Sequence, residues 1–297
     1  MPRVSICIPT YKPDFFELAL RSALAQSYED CEIIVSDDCP TDAIERICAR
    51  YAEKVSYSRN PKPSQINNII RLATIANGEY IKFLFDDDVL NPFCVQFLLE
   101  ALEGSRAHGT VMAFSPRYFI NEHSRVTRLV NYFKVENDAK IISGRDYIRL
   151  TAINHVNLVG EYTTALFRKK DCFDDSGTFC LYRLTDGYFA GTLDLSGWVE
   201  LAQRGAFVAH PHPLSYFRQH GNSSSNHTIS KTFIHVIRYP GVILEFAKNN
   251  GYLSESDIPL AYTNLLREYR YWAPHYPELN PLIDEINAML TGTPDAG

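Results

Sequence analysis

Short apolar runs alternate along the first part of the chain with segments whose apolar positions recur at helical spacing, and each run ends on polar or acidic residues. Val4 to Ile8 is β-rich and stops at Pro9; Glu32 to Ser36 is a second such run and ends on Asp37 and Asp38. Between them Phe16, Leu20, Ala23, Leu24 and Ser27 follow one helix face. Strand, helix and strand with short connections predict a βαβ unit. Asp42 with Glu45 reads as a capping box for a helix through Tyr51, and Val55 to Ser58 as a third, shorter strand. Ser64 caps a helix carrying Ile66, Ile69, Ile70 and Ala73, which Asn77-Gly78 stops. The alternation predicts an α/β fold with a mainly parallel, Rossmann-like sheet flanked by helices on both faces.

The next run, Glu79 to Pro92, carries an apolar strand into Asp86-Asp87-Asp88 and then into a proline-started helix. Three adjacent carboxylates repel one another and need a cation or heavy solvation to stay ionised. In such sheets ligands sit outside the carboxyl ends of the strands. Pro9-Thr10-Tyr11, Asp37-Asp38 and the acid triplet each fall at a predicted strand end. The glycine fingerprint for dinucleotides is absent after the first strand, as is the P-loop lysine motif, which removes the support for nicotinamide or ATP-hydrolysis chemistry.

Val4-Ser-Ile-Cys-Ile-Pro-Thr-Tyr, Glu32-Ile-Ile-Val-Ser-Asp-Asp, the Asn60 and Asn67 loop-helix, Gly78-Glu-Tyr-Ile and the acid triplet together resemble family 2 of the inverting nucleotide-sugar glycosyltransferases, which have the GT-A fold. The resemblance continues more weakly through Gly160-Glu161, Thr163 to Arg168, Asp194 to Gly205, and Pro213 to Asn222. It implies transfer of a sugar from a nucleotide diphosphate donor, UDP-linked, to a hydroxyl of a glycan or lipid-linked saccharide, with Mn2+ or Mg2+ as cofactor. The chemistry asks for these residue types in its own right. A departing diphosphate develops negative charge that a divalent cation offsets, and the attacking hydroxyl needs a base on the opposite face. Hard oxygen ligands suit magnesium or manganese.

The resemblance also implies roles. The first acid of the family's Asp-x-Asp motif falls on Phe85, so that acid is missing, and Asp87 matches the second, metal-binding one. Members with two adjacent acids map them to Asp86 and Asp87, which gives Asp87 to the metal and Asp86 to the ribose or the metal shell. Asp88 is either a supporting metal ligand or a helix-capping acid. Asp38 is placed against the base, with Asp37 on the ribose or holding the loop, and Pro9, Thr10 and Tyr11 lining the nucleotide pocket. Asp194 aligns with the catalytic base, although Ser196 stands where a second acid is frequent; Asp186 is the runner-up, and Asp174 and Asp175 look like loop acids. His220 is placed on the metal or diphosphate, with Arg218 able to pair with phosphate. Ser223 to Ser225, with Asn222 and Asn226, read as a mobile polar loop able to close over the donor.

At 297 residues, 45% hydrophobic and 22% charged, the chain suits one large globular domain with an appendage, and its net charge of -6 argues against a nucleic-acid partner. Seven cysteines without a CxxC pair read as reduced core thiols. Neither a signal peptide nor a bilayer-length apolar stretch is seen, so the expectation is a cytoplasmic protein, or one peripheral to the cytoplasmic face of the membrane. Thr228 to Asn249, Ser256 to Ala273 and Pro281 to Leu290 read as helices, and Tyr269, Tyr271 and Trp272 among Arg267 and Arg270 as a packing face or a membrane or self-association surface. This divides the chain into a glycosyltransferase domain at 1–227, with a nucleotide-sugar half at 1–115 and an acceptor half at 116–227, and a helical C-terminal extension at 228–297. The departures at Phe85 and Ser196 leave a catalytically silent sugar-nucleotide-binding module open. A nucleotidyltransferase is the weakest option, because Lys12 is the one lysine of the first loop.

Overall fold

The structure, a computed structural model, describes residues 1–134, 137–184, 192–221 and 233–291. Its first half runs β1 (Val4–Thr10), α1 (Phe16–Leu24), β2 (Cys31–Asp37), α2 (Ala43–Ala49), β3 (Ser56–Arg59), α3 (Gln65–Ile75), β4 (Tyr80–Phe83), β5 (Val89–Leu90) and α4 (Cys94–Gly104). It continues through β6 (Thr110–Phe114), β7 (Arg117–Ile120), β8 (Val126–Val130), β9 (Lys140–Ile142), α5 (Gly144–Asn154), β10 (Ala165–Arg168), α6 (Leu193–Ala202), β11 (Ala206–Ala209) and β12 (Ser215–Arg218). Three helices follow, α7 (Phe233–Asn249), α8 (Asp257–Trp272) and α9 (Asn280–Thr291).

The strands form an eight-stranded sheet in the order β3-β2-β1-β4-β10-β6-β11-β9, and a four-stranded sheet in the order β5-β12-β7-β8. β3, β2, β1 and β4 are parallel, as the alternating pattern predicts. β10 runs against both of its neighbours and β9 against β11, which makes the rest of the large sheet mixed. Every residue of β1 is buried because helices cover both faces, and this explains its unbroken apolar run. Phe16, Ala19, Leu20 and Ala23 of α1 pack on one side, and Ile69, Leu72 and Ala73 of α3 on the other.

Ser64 caps α3 as its sequence suggests, its Oγ accepting the Asn67 N–H at 3.1 Å. Asp42 makes no such cap: it is drawn into an ion pair with Arg46 one turn on, and the Ala43 N–H reaches Thr41 Oγ1 at 3.4 Å instead. At Gly78 the backbone passes so close to β1 that a Cβ would sit 2.6 Å from the Ser5 nitrogen, so the residue that ends the α3 connection is also required by packing.

The C-terminal helices pack against α5 and α6. Ile237, Tyr239, Ile243 and Leu244 of α7 and Ala261, Leu265 and Tyr269 of α8 share one apolar cluster with Tyr147 and Ile148 of α5 and Trp198 of α6. Arg149 of α5 grips Asp257 at the start of α8 with two bonds of 2.8 and 2.6 Å. Tyr269 faces this core, while Tyr271 is 72% exposed. Among the described residues no helix is long and apolar enough to cross a membrane, and the seven cysteines are free thiols, six of them buried.

Candidate active site

Thr10 pairs with Asp37 and Cys7 with Phe83, so β1, β2 and β4 end at the same edge of the large sheet. Pro9 and Thr10 are buried there and Tyr11 emerges, 58% exposed. The N–H groups of Tyr11 and Lys12 both donate to Asp86 Oδ2 at 2.7 Å. Asp86 thereby ties the β1–α1 loop to the end of β4. Burial and the neighbouring Asp87 push its pKa up to about 6, against the pull of those two N–H donors.

The other two acids of the triplet have separate environments. Asp88 is 1% exposed, and both its oxygens are engaged: Oδ2 accepts from Thr163 Oγ1 at 2.5 Å and Oδ1 from the Arg218 N–H at 3.0 Å. Burial, then the charge of Asp87, raises its pKa well above the carboxylate range. It acts as a joint between β4, the segment before β10, and β12. Asp87 has a partly exposed carboxylate, and its Oδ2 lies 3.2 Å from His220 Nε2. The His220 ring packs 5.1 Å from Phe15.

Arg218, expected on phosphate, is fully buried. Its Nε donates to the Asp87 carbonyl at 2.8 Å and Nη1 to the Asn121 carbonyl and Ser124 Oγ at 2.9 and 3.0 Å, with the guanidinium 4.4 Å over the Phe15 ring. These contacts make it the support beneath Asp87 and His220.

At the end of β2, Asp37 accepts from the Cys39 N–H at 2.7 Å and Tyr57 OH at 2.8 Å, with Arg59 3.4 Å away. These contacts lie within the loop after β2 and its neighbour β3. Asp38 is only partly covered, its N–H bonded to the Thr10 carbonyl at 2.8 Å, and its Oδ1 has no hydrogen-bond partner. Burial raises its pKa, with the Asn60 and Asn68 amides pulling the other way.

Asp194 sits in the first turn of α6, whose N-cap is Thr192. Its Oδ2 accepts from Asn157 Nδ2 at 2.9 Å and its Oδ1 from the Leu195 N–H at 2.8 Å. Burial, then the Glu161 charge, pushes its pKa up to about 7, and Arg117 opposes them. Ser196 is buried and donates to the Leu181 carbonyl at 3.1 Å. Asp174 binds its own turn, accepting the Ser176 and Thr178 N–H groups at 2.9 Å each, as a loop acid does. Asp186 and the polar segment Asn222 to Asn226 lie outside the described residues.

Thr163, Asn157 and Phe15 were not marked by any motif of their own. Thr163 lies in the weakly similar block after Gly160, whereas nothing in the sequence signals Asn157 or Phe15 as neighbours of the site.

The model of glycosyl transferase family 2 matches residues 5–186. The chain belongs to glycosyl transferase family 2. This glycosyltransferase is 30% identical over 227 residues to an uncharacterized protein of Mycobacterium tuberculosis, across 73% of this chain and 67% of that one. It is 25% identical over 285 residues to an uncharacterized glycosyltransferase of Rickettsia prowazekii, across 89% and 85%. A GalNAc(5)-diNAcBac-PP-undecaprenol beta-1,3-glucosyltransferase of Campylobacter jejuni is 29% identical over 118 residues, 36% of this chain and 37% of that protein. The fold is that of S. aureus TarS 1-349, solved in complex with UDP-GlcNAc: the TM-score is 0.58 at 18% identity, across 97% of this chain and 88% of TarS 1-349. The likeness extends past α6 into the C-terminal helices, consistent with a GT-A fold that carries them.

Proposed function

We propose that the enzyme is an inverting glycosyltransferase that moves a sugar from a UDP-linked donor to a hydroxyl of a glycan or lipid-linked saccharide, with Mn2+ or Mg2+ bound beside the donor. The observation that carries this reading is the Asp87–His220 pair, 3.2 Å apart, at the sheet edge where Asp38 also follows the end of β2. Among the described residues no cluster of three or more His, Cys, Asp or Glu side chains is placed to hold a metal. That fits an ion of the magnesium type, which takes one or two carboxylates from the protein and completes its shell with phosphate oxygens and water. Asp87 and His220 would hold it, and it would offset the charge developing on the departing diphosphate.

The protein's own groups supply the rest. Asp38, partly exposed just after β2, would accept the imide N–H of uracil through its carboxylate. Tyr11, exposed at the end of β1, offers its ring to the base. Asp194, with a pKa near neutrality, takes the acceptor hydroxyl proton as that oxygen bonds to the anomeric carbon and the carbon–diphosphate bond breaks, which inverts the centre. Support for the donor comes from TarS, whose solved complexes hold UDP-GlcNAc and UDP. Support for a lipid-linked acceptor comes from the Campylobacter relative, named for action on a PP-undecaprenol saccharide.

The deciding experiment incubates the protein with UDP-sugars, with and without manganese, and with saccharide acceptors, and follows UDP release and glycoside formation. Metal-dependent transfer supports the reading. UDP binding with neither hydrolysis nor transfer would leave a silent sugar-nucleotide module, and pyrophosphate release from a nucleoside triphosphate and a sugar phosphate would make it a nucleotidyltransferase.

A further inference from the structure

Asp194 is held by a small construction that the nucleotide site does not explain. Asn157 is its centre. Its Nδ2 donates both to Asp194 Oδ2, at 2.9 Å, and to the Gly160 carbonyl, at 3.1 Å, while its Oδ1 accepts the Gly160 N–H at 2.9 Å. One half-buried amide therefore fixes the carboxylate of α6 to both polar groups of the Gly160 backbone. Trp198, on the same helix, donates its indole N–H to that Gly160 carbonyl at 2.7 Å, which locks the turn and α6 together a second time.

The residue after that turn is Glu161, and it is paired with Arg117 of β7. Arg117 Nε lies 2.5 Å from Glu161 Oε2, and Nη2 donates to Oε1 at 3.2 Å. Arg117 is 5% exposed, whereas the Glu161 side chain keeps 24% of its surface open. Gly160 has φ +103, and a Cβ there would meet the Arg117 guanidinium at 2.5 Å. A glycine is required for the pair to form as it does. No second acid comes from the next turn of α6, where Ser196 is turned into the core.

We propose that Asn157 and the Arg117–Glu161 pair are the positioning residues of the base: Asn157 aims Asp194 by fixing its Oδ2 to the Gly160 turn, and Glu161, anchored by Arg117, sets a second carboxylate beside it. This rests on Asp194 being the base. The two devices act in opposite directions on the same proton. The amide donor of Asn157, bonded to Oδ2, favours the ionised carboxylate, whereas the Glu161 charge disfavours it, with Arg117 tempering that effect. A base poised near the working pH is the outcome. Among the described residues, the Asp194 charge is also felt by Tyr147 of α5, Tyr239 of α7, Tyr162 and Tyr182. They are buried phenols whose pKa values burial pushes up, so they stay neutral while Asp194 titrates.

The test is the pH dependence of kcat/KM for UDP-sugar consumption in the parent and in Glu161→Gln, Glu161→Asp and Asn157→Ala, with UDP affinity measured by calorimetry for each. Glu161→Gln should move the midpoint of the rising limb to lower pH by about half a unit or more, because a like charge is removed and Arg117 is left opposing it alone. Glu161→Asp keeps the charge and should fall nearer to the parent. Asn157→Ala should move the limb upward and lower kcat by about tenfold or more while UDP affinity stays within about twofold. Residues with a merely structural role would cost thermal stability and leave the midpoint where it was. An unmoved or raised midpoint in Glu161→Gln, or parental kcat in Asn157→Ala, overturns the inference; should Glu161→Gln not fold, Asn157→Ala decides it alone. Near-parental turnover in Asp194→Asn would instead remove the base reading itself, whereas an inactive Asp194→Asn beside an unshifted Glu161→Gln overturns only the positioning role.

Discussion

Asp87 and His220 lie 133 positions apart in the chain, yet their side chains meet, Oδ2 to Nε2 at 3.2 Å. The contact joins the segment after β4 of the large sheet to the segment after β12 of the small one. Arg218 underpins it from below through the Asp87 carbonyl.

Replacing Asp87 by Asn should weaken UDP binding in the presence of manganese by tenfold or more, about 1.4 kcal/mol, and should leave binding without metal almost unchanged. Isothermal calorimetry with and without the ion measures both. Parental affinity of Asp87→Asn in manganese would take the metal away from this residue.

Asp194→Asn should keep donor affinity while turnover falls by roughly a hundredfold or more. In the parent, the base works only when ionised, and its pKa is raised to about 7, so kcat/KM should climb with pH through neutrality. A pH–rate profile that is flat between about 5 and 8 would contradict that assignment.

The same raised pKa carries a stability consequence. Folded Asp194 binds its proton more tightly than the unfolded chain does, so the parent loses stability as pH rises from the ordinary carboxylate range to about 7. Asp194→Asn has no charge to bury and still offers an oxygen to the Asn157 amide. Its melting temperature should therefore exceed the parent's above neutrality, with the gap closing on acidification. A variant less stable than the parent at pH 8 would show that the carboxylate is better accommodated than its burial indicates.

Base selectivity is expected at Asp38. Uracil and thymine bring a ring imide N–H to the partly exposed Asp38 carboxylate, whereas cytosine has none and would leave the acid unpaired, so UDP and dTDP should outcompete CDP. Asp38→Ala should erase the difference. Equal binding of UDP and CDP by the parent sinks the assignment, and a preference for GDP would keep the fold and change the donor class.

Thr163→Val removes the hydroxyl that donates to the buried Asp88 at 2.5 Å. The expected loss is about 1–3 kcal/mol in chemical denaturation, together with weaker UDP binding, because Asp88 adjoins Asp87. A fully stable variant would mean that the joint is redundant.

The parallel half of the fold was legible because β1 and β4 are buried on both faces and α3 carries a cap and a stop that local chemistry fixes, at Ser64 and Gly78. The acid triplet was legible as a cluster but not as three roles. Asp86 turns to the β1–α1 loop, Asp88 to Thr163 and Arg218, and Asp87 to His220, and those partners come from distant segments. Arg218 illustrates the same limit: an arginine near a predicted phosphate site suggests a ligand, but here Phe15, Asn121 and Ser124 enclose it. Asp42 followed the capping pattern and was captured by Arg46 instead, a competition that spacing alone does not rank. The helices after residue 228 read as an extension because amphipathic patterns do not name the surface they cover, which is α5 and α6.

The bonds at Asp88 also bear on how enzymes of this kind can be recombined. One carboxylate holds the end of β4, the approach to β10 and the strand that leads to His220, so three segments distant in the chain are fastened together at one buried acid. A chimera that takes one half from a relative must therefore import Asp88, Thr163 and the Arg218 strand as a set. A crossover placed between them would leave an acid stranded in the interior at the junction where both substrates must meet.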